Sequence, residues 1–345
     1  MVGSVGIGGD NPISIQSMTN TDTHDTDKTY AQIMRLCEAG CEIVRLAVPD
    51  IEAARSFAVL KKMGVNIPLV ADIHFDHKIA IAAAEAGADK IRINPGNIGG
   101  KEKVSEVVRV CRERGIPIRI GVNSGSVEKS ILEKYGSPTA MALVESALYH
   151  ASLLRELDFE DIAISVKASS VPVMLEANRI LAKETEYPLH LGVTEAGARS
   201  AAIVKSSIGV GTLLSEGIGD TVRISLTDAP EEEIKVAKQI LRSLELDKCG
   251  GMDIVSCPTC GRTKIGLIDL VSEFEKRVAD EGLESKNIKV ALMGCVVNGP
   301  GEAREADIGI AGGIGEGLLF KKGKTVRKIK EEHLIDALIE EIKKM

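Results

Sequence analysis

Residues 68–95 read PLVADIHFDHKIAIAAAEAGADKIRINP, and the pattern in this stretch sets the architecture of most of the chain. An aliphatic segment (Pro68–Ile73) is followed by a polar loop, an amphipathic segment that ends near Gly87, and a second aliphatic segment (Lys90–Pro95). Glycine at the end of a helix adopts the left-handed conformation that turns the chain into the next strand. The stretch therefore predicts a strand–helix–strand unit with two parallel strands.

The same unit repeats from residue 12 to residue 227, and glycines recur about one unit apart at Gly40, Gly64, Gly87 and Gly115. Strands that alternate with helices pair in parallel, and eight such strands close into a barrel. We therefore predict a (β/α)8 TIM barrel over residues 1–247. Its predicted strands are Pro12–Met18, Cys41–Val48, Pro68–Ile73, Lys90–Pro95, Pro117–Asn123, Asp161–Ser169, Leu189–Gly197 and Thr221–Thr227.

The composition agrees with this fold and excludes several classes of protein. Hydrophobic residues make up 44% of the 345 residues but aromatic residues only 3%, so the core is aliphatic, as buried parallel strands require. The net charge of −7 and the lack of a basic tail argue against a nucleic-acid partner. No apolar run approaches the roughly 20 residues of a membrane span, and the N-terminus lacks a signal-peptide pattern. We expect a cytoplasmic protein that does not bind membranes.

The helical pattern of the barrel stops before Asp247–Gly251, which we interpret as a linker. Strand and helix patterns then alternate irregularly, which predicts a small α+β domain over residues 248–345. Its predicted elements are a strand at Asp253–Ser256, a helix at Lys264–Asp280, strands at Ile288–Met293 and Asp307–Ile310, a hairpin around Lys321–Lys324 and a helix at Glu331–Lys344.

Two loops of this second domain contain cysteines: Cys257-Pro-Thr-Cys260-Gly and Gly294-Cys295-Val-Val-Asn298-Gly-Pro-Gly301-Glu302. The chain has seven cysteines and no sign of export, which favours metal binding over disulfides. Zinc ribbons use the same first motif, so structural zinc remains open. A fourth cysteine is missing at the expected spacing, and three thiolates with the Glu302 carboxylate suit an iron–sulfur cluster with one exchangeable ligand. Cys249 in the linker is the alternative fourth ligand.

Five cations lie among aliphatic residues of the predicted barrel strands: Arg45, Arg92, Arg119, Lys167 and Arg223. Both faces of a barrel strand are buried, unpaired buried cations are costly, and these strands carry few acids. Any single arginine could belong to a structural ion pair. Five similar placements instead indicate a polyanion, most simply a diphosphate, bound bidentately at the barrel mouth.

Polar residues near the same strand ends extend the predicted site: Asp72, His74, Asn94, Asn123, Glu195 and Ser225. Asp72 and His74 also match a divalent-metal pair, although one such pattern is a weak signal. Loop capping is the alternative role of Asn123. Glu195 is the best candidate for acid–base chemistry, because arginines keep a carboxylate ionised whereas burial beside phosphate raises its pKa.

Together these residues resemble the 4-hydroxy-3-methylbut-2-en-1-yl diphosphate synthase family (IspG or GcpE) in its bacterial two-domain form. The resemblance covers the whole chain. The segments that carry it are Gln16–Thr19, Val44–Ala47, Ala71–His74, Ile91–Asn97, Ile120–Asn123, Gly217–Thr221 and, above all, Cys257–Arg262 and Gly294–Glu302.

The resemblance implies an iron–sulfur oxidoreductase with a [4Fe–4S] cluster on Cys257, Cys260, Cys295 and Glu302. Its implied substrate is 2-C-methyl-D-erythritol 2,4-cyclodiphosphate, which two single electrons from ferredoxin or flavodoxin convert to the linear allylic diphosphate of the non-mevalonate isoprenoid pathway. The family's phosphate-binding residues fall on the five cations, with Asn123 and Ser225 beside them. Its acid–base carboxylate falls on Glu195, and Asn298 would lie near the cluster.

Two other functions fit parts of the sequence. The first is a barrel hydrolase whose Cys3Glu tail holds structural zinc. The second is a pterin-handling transferase similar to dihydropteroate synthase, which leaves the cysteines without a role.

The predicted linker also bears on assembly. The helix after the eighth strand runs for about 16 residues, or roughly 24 Å, away from the barrel mouth. The linker spans at most about 18 Å, which is too short to bring the cluster domain back over its own barrel. We therefore predict a head-to-tail homodimer in which each cluster domain caps the partner's barrel.

Overall fold

The computed structural model describes residues 1–247, 250–295 and 304–345. The chain divides into two compact units, Met1–Leu246 and Asp247–Met345. Each unit has its own β-sheet and its own hydrophobic core. Within the described residues, no helix combines the length and the hydropathy needed to span a membrane.

The first unit is a parallel barrel. Its strands are β1 (Ser14–Met18), β2 (Ile43–Ala47), β3 (Leu69–Asp72), β4 (Lys90–Ile93), β5 (Ile118–Asn123), β6 (Ile162–Lys167), β7 (His190–Leu191) and β8 (Thr221–Val222). They are ordered β6-β5-β4-β3-β2-β1-β8-β7. A parallel bridge between Ile164 and Leu189 joins the two ends of this order, so the sheet closes on itself. The predicted (β/α)8 barrel is confirmed.

Helices surround the barrel, and a capping side chain or a glycine marks several of their ends. They are α1 (Thr26–Ala39), α2 (Ile51–Lys62), α3 (His77–Glu85), α4 (Lys101–Arg114), α5 (Lys129–Tyr135), α6 (Ala140–Arg155), α7 (Val171–Glu184), α8 (Arg199–Ser215) and α9 (Pro230–Ser243). The Asp50 side chain caps the first turn of α2 by accepting a hydrogen bond from the Ala53 N–H. Gly40 and Gly115 end α1 and α4 with φ angles of 94° and 63°, which favour glycine.

The last two barrel strands are shorter than predicted. The sequence predicts Leu189–Gly197 and Thr221–Thr227, but β7 and β8 have two residues each. Glu195 and Gly197 have φ angles of 52° and 98°, so the chain after β7 forms a turn. After β8, the Leu226 N–H donates to the Glu233 side chain instead of to a neighbouring strand. The predicted strands are too long because the apolar alternation in the sequence continues after the strands have stopped pairing.

The second unit is the predicted small α+β domain. It contains β9 (Asp253–Ser256), α10 (Leu267–Asp280), β10 (Lys289–Met293), β11 (Ile308–Gly312), β12 (Glu316–Lys321), β13 (Lys324–Lys330) and α11 (Leu334–Lys343). The sheet order is β13-β12-β11-β10-β9, with β9, β10 and β11 parallel and the last two strands antiparallel. Both helices contribute to one core with the sheet, through residues such as Phe274 and Leu338.

The barrel interior contains apolar and polar residues. Near the amino ends of the strands, Val2, Ile43 and Val70 form an apolar cluster. Lys90 and His190, the first residues of β4 and β7, are also buried. Barrel enzymes place their active sites at the carboxyl ends of the strands.

Candidate active site

The five cations predicted from the sequence face one space inside the barrel. We call Arg45, Arg92, Arg119, Lys167 and Arg223 the cation ring. All five line one cavity of about 210 Å³. The remaining lining residues are Asp72, His74, Gly121, Asn123, Ser165, Thr194 and Ser225.

Strand alternation explains why the cations point inward. Val44 and Leu46, on either side of Arg45, are fully buried in the core between the strands and the outer helices. Successive side chains of a strand face opposite sides, so Arg45 must face the barrel interior. Arg92 and Arg119 follow the same rule and are paired across β4 and β5.

Among the described residues, Asp72 is one of two carboxylates that contact the cation ring. Its oxygens lie 3.3 Å from Arg92 Nη1 and 3.6 Å from Arg45 Nε. Burial raises the pKa of Asp72, but the neighbouring guanidiniums of Arg45 and Arg92 outweigh it and hold the pKa below its ordinary value. Asp72 therefore stays ionised and orients the two arginines. Its Oδ2 lies 3.7 Å from His74 Nε2, and no third metal-ligating side chain joins this pair among the described residues.

The second carboxylate is Glu233, which sequence reasoning did not assign to the site. It is buried in the first turn of α9 and lies 3.3 Å from Arg223 Nη2. It also accepts a hydrogen bond of 2.9 Å from Ser17 Oγ. A signal was present in the sequence, because Glu233 shares the apolar face of its helix with Ala237 and Ile240, at positions i+4 and i+7.

Arg119 is held by Gln16, which begins one of the family motifs but was not assigned to the site. Arg119 is 1% exposed, and its Nη1 donates a hydrogen bond of 2.8 Å to Gln16 Oε1 across the barrel. Burial, reinforced by Arg45 and Arg92, lowers the pKa of Arg119. Burial also lowers the pKa of Arg45, to about 10. Both shifts have burial as their main cause, and the neighbouring arginines add to it.

The other predicted residues divide into three groups. Asn123 and Ser225 line the cavity with the ring. Asn94 is buried and its Oδ1 accepts a hydrogen bond of 3.2 Å from the Gly121 N–H, so it ties β4 to β5 instead of lining the cavity. Glu195 is exposed on the turn after β7 and does not line the cavity.

The predicted cysteine ligands lie at the carboxyl ends of two neighbouring parallel strands. Cys257 follows β9 and Cys295 follows Gly294 after β10. The Gly294 N–H donates a hydrogen bond of 3.1 Å to Cys257 Sγ. Hydrogen bonds from the backbone and side chain of Arg262, assisted by Thr263, lower the pKa of the exposed Cys260 thiol. Donors aimed at sulfur favour the thiolate form that binds metals.

The described residues give no complete ligand set. No three Cys, His, Asp or Glu side chains within residues 1–247, 250–295 and 304–345 are arranged to hold a metal ion. Glu302, Asn298 and Cys249 lie outside the described residues.

The cysteines of the barrel are poor ligands by comparison. Burial raises the pKa of Cys41 and of Cys111 to about 12, so both remain thiols. Burial also raises the pKa of Cys37. These three residues behave as small apolar side chains.

Comparison with known proteins gives full-length matches. Residues 1–238 match the GcpE TIM-barrel domain, and residues 253–344 match the GcpE protein C-terminal domain. The chain is 60% identical over 344 residues to the 4-hydroxy-3-methylbut-2-en-1-yl diphosphate synthase (flavodoxin) of Ruminiclostridium cellulolyticum, covering 100% of this chain and 96% of the relative. The enzyme of the same name from Caldanaerobacter subterraneus is 59% identical, with the same coverage.

Two solved barrel enzymes resemble part of this chain in fold. A type I 3-dehydroquinate dehydratase from Clostridium difficile has a TM-score of 0.52 at 15% identity, covering 71% of this chain and 97% of its own. A dihydropteroate synthase from Vibrio fischeri has a TM-score of 0.50 at 13% identity, covering 68% and 94%. At such identities the likeness concerns the fold alone, so it gives no support to a pterin-handling function.

The two domain matches and the full-length relatives confirm the resemblance found in the sequence motifs. The chain belongs to the GcpE family of 4-hydroxy-3-methylbut-2-en-1-yl diphosphate synthases.

Proposed function

We propose that this protein converts 2-C-methyl-D-erythritol 2,4-cyclodiphosphate to (E)-4-hydroxy-3-methylbut-2-enyl diphosphate in the non-mevalonate isoprenoid pathway. The reaction reductively opens the ring and removes water. The relatives are named as synthases of this diphosphate. The observation that carries the proposal is the cation ring, which collects five cations around one small cavity at the barrel mouth.

A cyclic diphosphate fits the ring in charge and geometry. Arginine presents parallel N–H donors that match two phosphate oxygens at once. Asp72 holds Arg45 and Arg92 in place, and Gln16 and Glu233 do the same for Arg119 and Arg223. We assign the phosphates to the ring, with Asn123 and Ser225 as neutral partners. Asn94 supports the strand that carries Arg119 through Gly121.

A [4Fe–4S] cluster is the proposed cofactor, held by Cys257, Cys260, Cys295 and Glu302. The three cysteines fit this role because their loops share one end of the sheet, and the sulfurs of Cys257 and Cys260 receive N–H donors. When bound, such a cluster supplies single electrons and an iron with an exchangeable oxygen ligand. Asn298 is assigned to the substrate side of the cluster, and Glu195 to proton transfer at the barrel mouth.

Flavodoxin is the proposed electron donor, since the relatives carry it in their names, and ferredoxin is the alternative one-electron carrier. We place the enzyme in the cytoplasm. We also propose the head-to-tail homodimer. It is supported by α9, whose 14 residues extend about 21 Å, and by the short connection between its end and β9.

The proposal is tested by purifying the protein without oxygen and measuring iron, sulfide, zinc and electron paramagnetic resonance. We expect about four irons and four sulfides per chain, and a reduced-state signal that changes when the cyclic diphosphate is added. A colourless protein with about one zinc per chain would instead support the hydrolase with a structural zinc tail.

A further inference from the structure

Lys167 differs chemically from the other members of the cation ring. The other four are arginines, whose guanidiniums keep their protons in proteins. A lysine releases its proton when burial and like charges make the ammonium unfavourable. Lys167 is therefore the member of the ring whose charge can change.

The surroundings of Lys167 disfavour an ammonium. The residue ends β6 and is 7% exposed, and its side chain makes no hydrogen bond or ion pair with a described residue. Its Nζ lies close to the backbone just after β7, where a Cβ on Gly192 would be only 2.8 Å away. The ammonium therefore has little exposure to solvent and no acceptor among the described residues to stabilise its charge.

The charged groups that face Lys167 do not compensate for this loss. Four arginines line the same cavity, three from β2, β4 and β5 and one directly after β8, whereas Asp72 from β3 and Glu233 from α9 already contact arginines. His190 from β7 and Lys90 from β4 are buried in the same interior, and His74 lies at its mouth. Burial, followed by Arg223, Arg45 and Arg119, lowers the pKa of Lys167 well below its ordinary value.

We propose that Lys167 is a neutral amine in the ligand-free enzyme and takes up one proton from solvent when the diphosphate binds. The inference rests on the proposed function, because it concerns the same anion site. The amine lone pair accepts the proton, and no bond of the ligand changes. The bound anion supplies the negative charge and the hydrogen-bond acceptors that the ammonium lacks in the ligand-free protein.

This mechanism makes substrate binding depend on pH. The two phosphate groups of the cyclic diphosphate each have a single, strongly acidic proton, so the ligand itself does not titrate near neutral pH. A group whose pKa is raised by the ligand takes up protons on binding, and affinity then falls as pH rises between the free and bound pKa values. Over that interval we expect about a tenfold loss of affinity per pH unit.

Isothermal titration calorimetry tests the inference. The oxidised wild-type enzyme is titrated with the cyclic diphosphate, without a reductant, in buffers of different ionisation enthalpy at one pH. The slope of the observed enthalpy against the buffer enthalpy gives the number of protons taken up. We expect uptake of about one proton in the wild type and in the exposed control Lys183→Arg, and of about zero protons in Lys167→Arg.

Inorganic diphosphate serves as a second ligand. It titrates by itself, so the readout is the difference in slope between wild type and Lys167→Arg, which we expect to be about one proton. If the cyclic diphosphate does not bind but inorganic diphosphate shows this difference, the proposed substrate is wrong and the role of Lys167 stands.

Two results would overturn the inference. One is a wild-type slope near zero together with measurable binding. The other is a slope that survives in Lys167→Arg, which would assign the proton to another buried base such as Lys90 or His190. If Lys167→Arg folds poorly, the affinity of the wild type for the cyclic diphosphate is measured from pH 6.5 to 9 instead. An affinity that does not change with pH contradicts proton uptake by any group.

Discussion

Arg119 has the most extreme position in the cation ring, because its guanidinium is fully buried and its described hydrogen-bond partner, Gln16, is uncharged. We expect Arg119→Met to weaken binding of the cyclic diphosphate by about 1.5–3 kcal/mol, or roughly 10- to 150-fold in Kd. Thermal stability should hold or rise, because the change removes a desolvated charge. Calorimetric titration and thermal unfolding measure both quantities.

Arg109→Met is the matched control, since Arg109 is exposed on α4 and pairs with Glu113 of the same helix. It should leave both Kd and Tm close to wild type. An Arg119→Met protein that melts early but binds the diphosphate normally would show that the arginine has a structural role only.

The cysteine ligands give a second prediction for single residues. Serine in place of Cys257, Cys260 or Cys295 should remove iron and activity, whereas Cys111→Ser should retain both because that thiol is buried in α4. Glu302→Ala should keep most of its iron but turn over slowly, since only the exchangeable ligand is lost. Iron analysis and product formation are the measurements. A variant set in which Cys249→Ser loses the cluster and Glu302→Ala turns over normally would identify Cys249 as the fourth ligand.

Site residues could be predicted where alternation along a strand determines which way the side chain faces. They could not be predicted where their position depends on a contact with a residue distant in sequence. Arg45, Arg92 and Arg119 follow from alternation, because their aliphatic neighbours must face the helices. Gln16 contacts Arg119, which lies 103 positions away, and no local pattern predicts that contact. The apolar helix face of Glu233 indicates that this residue is buried, but not that its partner is Arg223, ten positions before it. Glu195 was placed near the arginines by its strand, but a turn with φ of 52° leaves it exposed.

Among the secondary-structure elements, helix α9 helps to hold the site together. Glu233 in its first turn contacts β1 through Ser17 and the segment after β8 through Arg223 and Leu226. Removing one partner of a buried ion pair leaves the other charge uncompensated. We therefore expect Glu233→Ala to lower the free energy of unfolding by about 3 kcal/mol, measured by urea denaturation.

The same helix provides the control. Glu231 pairs with the exposed Arg35 at the surface, so Glu231→Ala should cost less than about 1 kcal/mol. Equal losses in the two variants would mean that Glu233 does not anchor the helix to the strands.

The ends of helices could be predicted where a residue in the local sequence, such as glycine, stops the helix. Gly40 and Gly115 end their helices as expected, because the left-handed conformation favours glycine. The early ends of β7 and β8 could not be predicted, because strand length there depends on hydrogen-bond partners from the turn after β7 and from α9.

For the whole molecule, the predicted head-to-tail dimer would combine the barrel of one subunit with the cluster domain of the other. Cys295→Ser protein should be inactive, and Arg119→Met protein should have little activity when the substrate concentration is kept well below its weakened Kd. After subunit exchange at equal amounts, half of the dimers are mixed and each has one intact composite site, so about a quarter of wild-type activity should return. No recovery despite demonstrated exchange, or full activity from a verified monomer, would rule out this assembly.

The overall claim is that the barrel and the cysteine domain together perform a two-electron reduction of a cyclic diphosphate. The most direct test counts electrons in a single turnover of the cluster-loaded enzyme, with a titrated reductant and one equivalent of the cyclic diphosphate. The account predicts one linear allylic diphosphate for every two electrons consumed, and no product without a reductant. Ring opening that consumes no electrons and yields a hydrolysed diphosphate would contradict it.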